Sequence, residues 1–150
     1  MYYTTYYEPH SISELIAMNS ECFGWISITG TNINYPVMHT PDNPQKYLNK
    51  NFYGEYSLSG VPFLDSRCST DSTNLIIYGH HMNNGTMFAE LCNYTSSSYR
   101  DEHKAVALET KGGVSAYTVF AVLKVKSDDE WYRFCLLYTS PSPRDISGSR

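Results

Sequence analysis

The chain has 150 residues, of which 41% are hydrophobic and 15% aromatic, and its formal net charge at pH 7 is −4. This length is enough for one domain with a hydrophobic core, and the composition excludes an intrinsically disordered chain. The acidic balance provides no basic footprint for nucleic acid. No apolar run approaches the roughly 18–20 residues of a membrane-spanning helix, so we expect any membrane anchor to precede this sequence.

The first elements in chain order are a short helix and a β-hairpin. Ser11 and Glu14 have the spacing of a capping box, and the apolar residues after them share one helical face. Residues 24–28 and 33–38 alternate in polarity around a Gly-containing turn, which predicts a hairpin. Because Pro36 has no N–H to donate, we expect its strand to be an edge strand or to be bulged there.

The remaining elements are predicted to be mostly short strands. Residues 39–60 are polar, with a helical turn expected near Tyr47 and Leu48. A short strand is predicted at 61–65, and a continuous apolar strand, covered on both faces, at 74–78. After a turn at Asn84–Gly85, Thr86 is expected to cap a short helix. Two final strands, at 104–109 and 116–123, are joined through 111–113. This pattern predicts a mainly β barrel or sandwich with short helices in its loops.

The last sixteen residues, 135–150, differ in composition from the rest, being rich in Ser, Pro and Arg. They are either a Pro/Ser linker or a non-native tail. The second interpretation is favoured, because permitted codons for residues 135–145 spell a DNA sequence that resembles a transposase end followed by a sequencing adapter. We therefore divide the chain into an N-terminal extension (1–10), a domain (11–134) and a non-native tail (135–150), and expect the native frame to stop near Phe134.

Two adjacent histidines follow the apolar run at 74–78. Side chains alternate along a strand, so His80 shares a side with Tyr78, and if the strand persists His81 points the opposite way. An imidazole at a strand end, after a glycine, suits general acid–base catalysis; the alternatives are a polar loop residue or a metal ligand. The four cysteines, at positions 22, 68, 92 and 135, form no CxxC and have no zinc-like spacing. We therefore expect no cysteine-based metal site and no disulfide scaffold.

Several segments together resemble the class B sortases, the cysteine transpeptidases of Gram-positive cell surfaces. They are NSECFGWISITGTNINYPVM (19–38), DNPQKYLNKNF (42–52), SGVPFLDSR (59–67), NLIIYGHHMNNGTMFAEL (74–91) and the strand pair at about 104–123. The resemblance implies an eight-stranded closed barrel with an N-terminal helix, of which this chain supplies the first six strands and lacks the last. It also implies that His80 is catalytic and that no cofactor is needed.

In this family the nucleophile is a Cys in a TLxTC-like motif, and an Arg on the next strand completes the site. Neither motif occurs here, so the nucleophilic Cys and the Arg are absent from this chain. We expect Tyr78 and Asn74 to line the substrate side of His80, and Asp65 to hold a neighbouring loop or strand. The alternatives left open are a non-enzymatic β-barrel module that binds cell-wall peptides and a histidine-based metal site.

The family role implies which partners and which location the parent protein has. Its substrates would be secreted surface proteins with a C-terminal sorting motif, its acceptor a cell-wall precursor amine, and its location the extracytoplasmic face of the membrane. We expect the 150-residue chain itself to be inactive and prone to aggregation, because missing strands leave sheet edges open.

Overall fold

The part of the chain that the computed structural model describes, residues 11–124, is built mainly from β-strands, which confirms the predicted class. In chain order the elements are α1 (Ile12–Met18), β1 (Cys22–Ser27), β2 (Asn34–Met38), a first 3₁₀ helix (Lys46–Asn49), β3 (Phe63–Leu64), β4 (Ile77–Tyr78), a second 3₁₀ helix (Ala89–Thr95), α2 (Ser97–Glu102), β5 (Ala105–Thr110) and β6 (Gly113–Thr118). The strands form one six-stranded sheet in the order β4-β3-β2-β1-β5-β6. The predicted extension (1–10) and tail (135–150) lie outside the described residues. No helix within 11–124 has the length and apolar character needed to cross a membrane.

Helix α1 begins with the predicted capping box. The Ser11 hydroxyl accepts the Glu14 N–H at 3.2 Å, and the Glu14 carboxylate accepts the Ser11 N–H at 3.0 Å, which satisfies two donors at the helix start. Leu15 is buried in the core. At the other end the Asn19 amide donates to the Tyr47 hydroxyl and to the Phe52 carbonyl. The helix is thereby tied to the loop that follows the first hairpin.

The first hairpin forms as predicted, but Pro36 does not make β2 an edge strand. Strand β2 lies between β1 and β3, and the irregular register falls in β1, between Cys22 and Gly24. The Met38 N–H donates towards β3, to the Pro62 carbonyl at 2.9 Å. Backbone groups two residues apart point to the same side of a strand, so the Pro36 nitrogen points to the same side as the Met38 N–H. The pairing of β2 with β3 begins only at Met38, so Pro36 has no partner on that side. The missing N–H therefore leaves no ladder position empty.

Hydrophobic residues cover both faces of the sheet, because neighbouring positions in its central strands point to opposite sides. Cys22, Met38 and Phe63 belong to one core cluster, which also contains Leu15 of α1. The adjacent residues Phe23, Val37 and Leu64 belong to a second cluster with Cys68, Ile76 and Leu108. The sheet is thus the middle layer of the described domain.

The apolar run at 74–78 is shorter as a strand than predicted. Only Ile77 and Tyr78 pair, with Leu64 and Phe63, because the partner chain turns after Asp65, whose carbonyl accepts the Cys68 N–H. Strand β4 lies at the end of the sheet within the described residues, and Tyr78 is 38% exposed. The prediction that this strand is covered on both faces is therefore wrong.

The predicted cap at Thr86 is also wrong. The Thr86 hydroxyl donates to the Asn84 side chain at 2.6 Å, and the second 3₁₀ helix starts only after Phe88, without a side-chain cap. Helix α2, capped by Ser96, follows directly and was not predicted. Residues 11–124 therefore contain three short helices in the loops, against the one or two expected.

The last hairpin is shifted relative to the prediction. Thr110 pairs with Gly113, so the loop contains only Lys111 and Gly112, and Gly113 has a φ of +121° that favours glycine. Because two-residue loops are the commonest hairpin connection, the second strand begins at Gly113 and ends at Thr118 rather than covering 116–123. All residues of β6 are exposed.

Candidate active site

The end of β4 and the segment after it form a compact unit around the two histidines. A Cβ atom on Gly79 would lie 2.5 Å from the ring of Phe88, a distance that no side chain tolerates. The Phe88 N–H also donates to the His80 carbonyl at 2.8 Å. The position of the Phe88 ring therefore requires a glycine at position 79, immediately before His80.

One ring nitrogen of His80 is held by the main chain. The Nε2 atom lies 2.7 Å from the carbonyl oxygen of Leu48, in the first 3₁₀ helix. A carbonyl oxygen only accepts hydrogen bonds, so Nε2 carries the proton in the neutral ring. The Nδ1 atom is then the nitrogen with a lone pair for proton exchange. Sequence reasoning did not find Leu48 as a partner, because its contribution is a backbone atom 32 residues away in the chain.

The imidazole of His80 lines a groove with a volume of about 530 Å³. The walls combine apolar side chains from the loop before β3 and from β3 with polar groups at the end of β4. The lining residues are Pro44, Gln45, Leu48, Val61, Phe63, Asp65, Ser66, Arg67, Tyr78, Gly79 and His80. A groove that combines apolar walls with polar groups beside a partly buried histidine is a typical ligand-binding site.

A charged network forms one wall of this groove. Asp65, which is 5% exposed, accepts two side-chain hydrogen bonds from Arg67, at 2.9 and 2.8 Å. It also accepts the Tyr78 hydroxyl at 2.6 Å. The bond from Arg67 is the main cause that holds the pKa of Asp65 well below its usual range, and the Tyr78 bond lowers the pKa further. Asp65 thus joins its own turn to β4, as expected from the sequence.

Of the two side chains predicted to line the substrate side, the structure places one in the groove. Tyr78 faces the groove, its ring centroid lies 5.5 Å from that of Phe63, and burial together with the Asp65 bond raises its pKa to about 12. Its hydroxyl therefore stays neutral. Asn74 does not line the groove: its carbonyl accepts the Cys68 thiol at 3.5 Å, and its side-chain nitrogen is buried without a partner among the described residues. The substrate contacts of both residues remain predictions.

His81 does not line the groove. It is exposed, it forms a backbone bridge with Met87, and its Nδ1 lies 3.6 Å from the Cys92 sulfur. Among the described residues no group of three or more His, Cys, Asp or Glu side chains is placed to hold a metal ion. The two neighbouring imidazoles therefore contact different groups, a main-chain carbonyl in one case and a thiol in the other.

In the described part of the chain, no cysteine sulfur forms a hydrogen bond with His80. Cys22 is buried, and burial raises the pKa of its thiol to about 11. Cys68 is buried against Asn74, and Cys92 contacts His81. Arg67 does line the groove, but its guanidinium is engaged by Asp65. The groove therefore contains a histidine without a neighbouring nucleophile among these residues.

Comparison with known proteins supports the assignment that the motifs suggested. The chain is 35% identical over 118 residues to sortase B of Staphylococcus aureus, a match covering 77% of this chain and 48% of that protein. A structure of an S. aureus sortase B–substrate complex superposes with a TM-score of 0.76 at 31% identity, over 85% of this chain and 64% of that one. A class B sortase of Streptococcus pyogenes, involved in pilus biogenesis, gives a TM-score of 0.74 at 35% identity, over 82% and 69%.

These matches cover most of the described residues. The chain spans about half the length of the curated relatives it matches. The family model of the sortase domain matches residues 26–144. This range includes His80, His81 and strands β2 to β6. The chain therefore belongs to the sortase family, and its relatives lie in class B.

Proposed function

We propose that this chain supplies the acid–base histidine and part of the substrate groove of a class B sortase. Such an enzyme cuts a C-terminal sorting motif in secreted proteins and joins them to an amine of a cell-wall precursor. The observation that carries the proposal is the position of His80. Its Nε2 is fixed by the Leu48 carbonyl, and its ring lines a groove of a size that accepts a peptide.

The mechanism follows from this arrangement. A thiolate supplied by the family's cysteine-bearing strand attacks a carbonyl carbon of the sorting motif, forming a thioester as the peptide C–N bond breaks. His80, which took the thiol proton on Nδ1 as the thiolate formed, donates this proton to the departing amine. In the second half-reaction it accepts a proton from the incoming amine, which attacks the thioester and releases the thiolate. Since Nε2 faces Leu48, both transfers pass through Nδ1.

The groove residues position the peptide for this exchange. The neutral Tyr78 ring and the apolar walls from Leu48 and Phe63 offer contact surface along an extended chain. Asp65 and Arg67 compensate each other's charge, so this wall presents no net charge to the substrate. We further propose that the parent protein acts at the extracytoplasmic face of the membrane, where secreted proteins and cell-wall precursors meet.

We also propose that residues 1–150 alone do not catalyse the reaction. Support comes from the three described cysteines: two are buried, and the exposed one lies beside His81 rather than His80. The chain should bind a sorting-motif peptide weakly in the groove without cutting it.

A peptide titration followed by NMR tests both parts of the proposal. With the ¹⁵N-labelled 150-residue chain, we expect shifts at His80, Tyr78 and Leu48, smaller ones at His81, and no cleavage product by mass spectrometry. Cleavage would contradict inactivity, and shifts confined to residues outside the groove would contradict the site. A scrambled peptide of equal composition is the matched control.

A non-enzymatic module that binds cell-wall peptides is the second candidate. It is favoured by one observation, the open groove whose histidine has no thiol partner among residues 11–124. The DNA sequence across codon 135 separates the candidates. A continuation into a cysteine-bearing strand supports the sortase, and a native stop codon after residue 150 supports the binding module.

A further inference from the structure

A cysteine–histidine pair lies outside the groove, after the end of β4. The Cys92 sulfur is 3.6 Å from Nδ1 of His81. The contact is built by the fold, since the bridge between His81 and Met87 folds the chain back and the second 3₁₀ helix then carries Cys92 towards the imidazole. The Tyr35 hydroxyl accepts the Met87 N–H at 2.9 Å, which fixes this reversal to β2.

Cys92 is open to solvent and to small molecules, unlike the other described cysteines. Cys22 and Cys68 are 4% exposed, whereas Cys92 is exposed. Its side chain borders two clefts, a polar one of about 360 Å³ shared with Ser98 and Glu102, and an apolar one of about 530 Å³. A small reagent therefore has room on either side of the sulfur.

The pair has the two groups that thiol chemistry requires. The thiolate is the reactive form of cysteine, and a neighbouring imidazole within hydrogen-bond reach is the usual group that removes the thiol proton. Within residues 11–124, the backbone of His81 forms a bridge with Met87, and its ring forms a hydrogen bond only with Cys92. Its ring is thus available to exchange a proton with the sulfur.

We propose that Cys92, with His81 as its proton acceptor, is a site of covalent modification by small-molecule disulfides. The Cys92 sulfur attacks one sulfur of the disulfide R–S–S–R, the S–S bond of the reagent breaks, and a mixed disulfide Cys92–S–S–R forms. The thiol proton passes to His81 Nδ1 and then to the leaving thiolate, which departs as R–SH. Cys92 is oxidised, and the departing sulfur is reduced. This modification does not depend on sortase activity.

The test measures the rate of modification at each cysteine. The 150-residue chain, carrying Cys135→Ser because Cys135 lies outside the described residues, is treated with uncharged hydroxyethyl disulfide. Samples quenched over time with acid are digested and analysed by mass spectrometry. We expect Cys92 to react first and Cys22 and Cys68 only slowly. His81→Ala should lower the Cys92 rate about tenfold or more, whereas His80→Ala, the matched neighbouring imidazole, should leave it within about twofold.

Two further variants keep the result interpretable. Cys92→Ser should abolish the fast phase, and His81→Gln should slow it as His81→Ala does while preserving side-chain length. An equal Cys92 rate in the parent chain and in both His81 variants would overturn the proposal. Equal rates at Cys22, Cys68 and Cys92, in a sample that circular dichroism shows to be folded, would also overturn the proposal.

Discussion

The two sides of the β4 end differ sharply although their histidines are adjacent in the sequence. On the groove side, His80 is partly buried between apolar walls, and its Nε2 is bonded to a main-chain carbonyl. On the other side, His81 is exposed and contacts a thiol. The groove beside His80 is lined by no cysteine among the described residues, whereas the cysteine on the other side borders two clefts of its own. Two adjacent imidazoles just after β4 thus contact different groups and have different chemistry.

Replacing each histidine in turn by alanine tests the difference between the two sides, and we expect it to have the largest effect of the variants considered. In a form of the protein that carries the family's nucleophilic cysteine, His80→Ala should lower the rate of sorting-peptide transfer by about 10²–10⁴-fold, the usual contribution of a general acid–base. His81→Ala should change it by no more than about threefold. The measurement is transpeptidation followed by liquid chromatography. A greater loss with His81→Ala would show that His81, and not His80, is the catalytic residue.

Gly79→Ala should disturb both sides, because the added methyl group meets the Phe88 ring at 2.5 Å. Overpacking of this kind costs about 1–3 kcal/mol in the free energy of unfolding, measurable by urea denaturation. Gly112→Ala is the matched control, since a Cβ there has only one neighbour, at 3.8 Å. Equal stability of the two variants would show that the Gly79–Phe88 contact is not needed.

Asp65→Asn should weaken the groove side alone, through the Arg67 and Tyr78 bonds. Because Arg67 is half exposed, we expect a modest loss of about 1–2 kcal/mol at pH 7. The folded-state pKa of Asp65 lies below that of the unfolded chain, so near pH 4 the unfolded chain binds more protons. Stability from this group is therefore present above about pH 4 and is lost as the pH falls below it.

Urea denaturation between pH 2 and pH 7 checks this dependence. The difference in stability between the parent chain and Asp65→Asn should shrink towards pH 2. A difference that stays constant with pH would mean that the carboxylate charge of Asp65 contributes nothing.

Tyr78→Phe should have the smallest effect, about 0.5–1 kcal/mol, because it removes one hydrogen bond but keeps the ring on Phe63. Tyr117→Phe on the exposed strand β6 is the control and should be nearly neutral. A loss for Tyr117→Phe equal to that for Tyr78→Phe would show that the Asp65 bond does not stabilise the fold.

The elements that depend on neighbouring residues were predictable from the sequence. The capping box at Ser11 and the first hairpin rest on contacts within a few residues, and both form. That His80 but not His81 lines the groove is compatible with a side-chain period of two, although β4 itself ends at Tyr78. Resemblance of spaced motifs, rather than physical pattern, indicated the family and therefore the role proposed for His80.

Features that depend on distant partners were not predictable. The length of β4 is limited by the turn at Asp65, which the apolar run at 74–78 does not reveal. The cap predicted at Thr86 failed because the helical segment begins two residues later, with Phe88 in the cap position. That later helix start carries Cys92 to His81, a contact that no spacing rule identifies.

The hydrogen bond from His80 to the first 3₁₀ helix has a spectroscopic consequence. The carbonyl that orients the ring belongs to Leu48, a residue whose side chain also lines the groove. A molecule that displaces this helical turn would lengthen the bond and move both imidazole nitrogens' ¹⁵N resonances. His80 would thus report on occupancy of the groove before any bond in the occupant is cut.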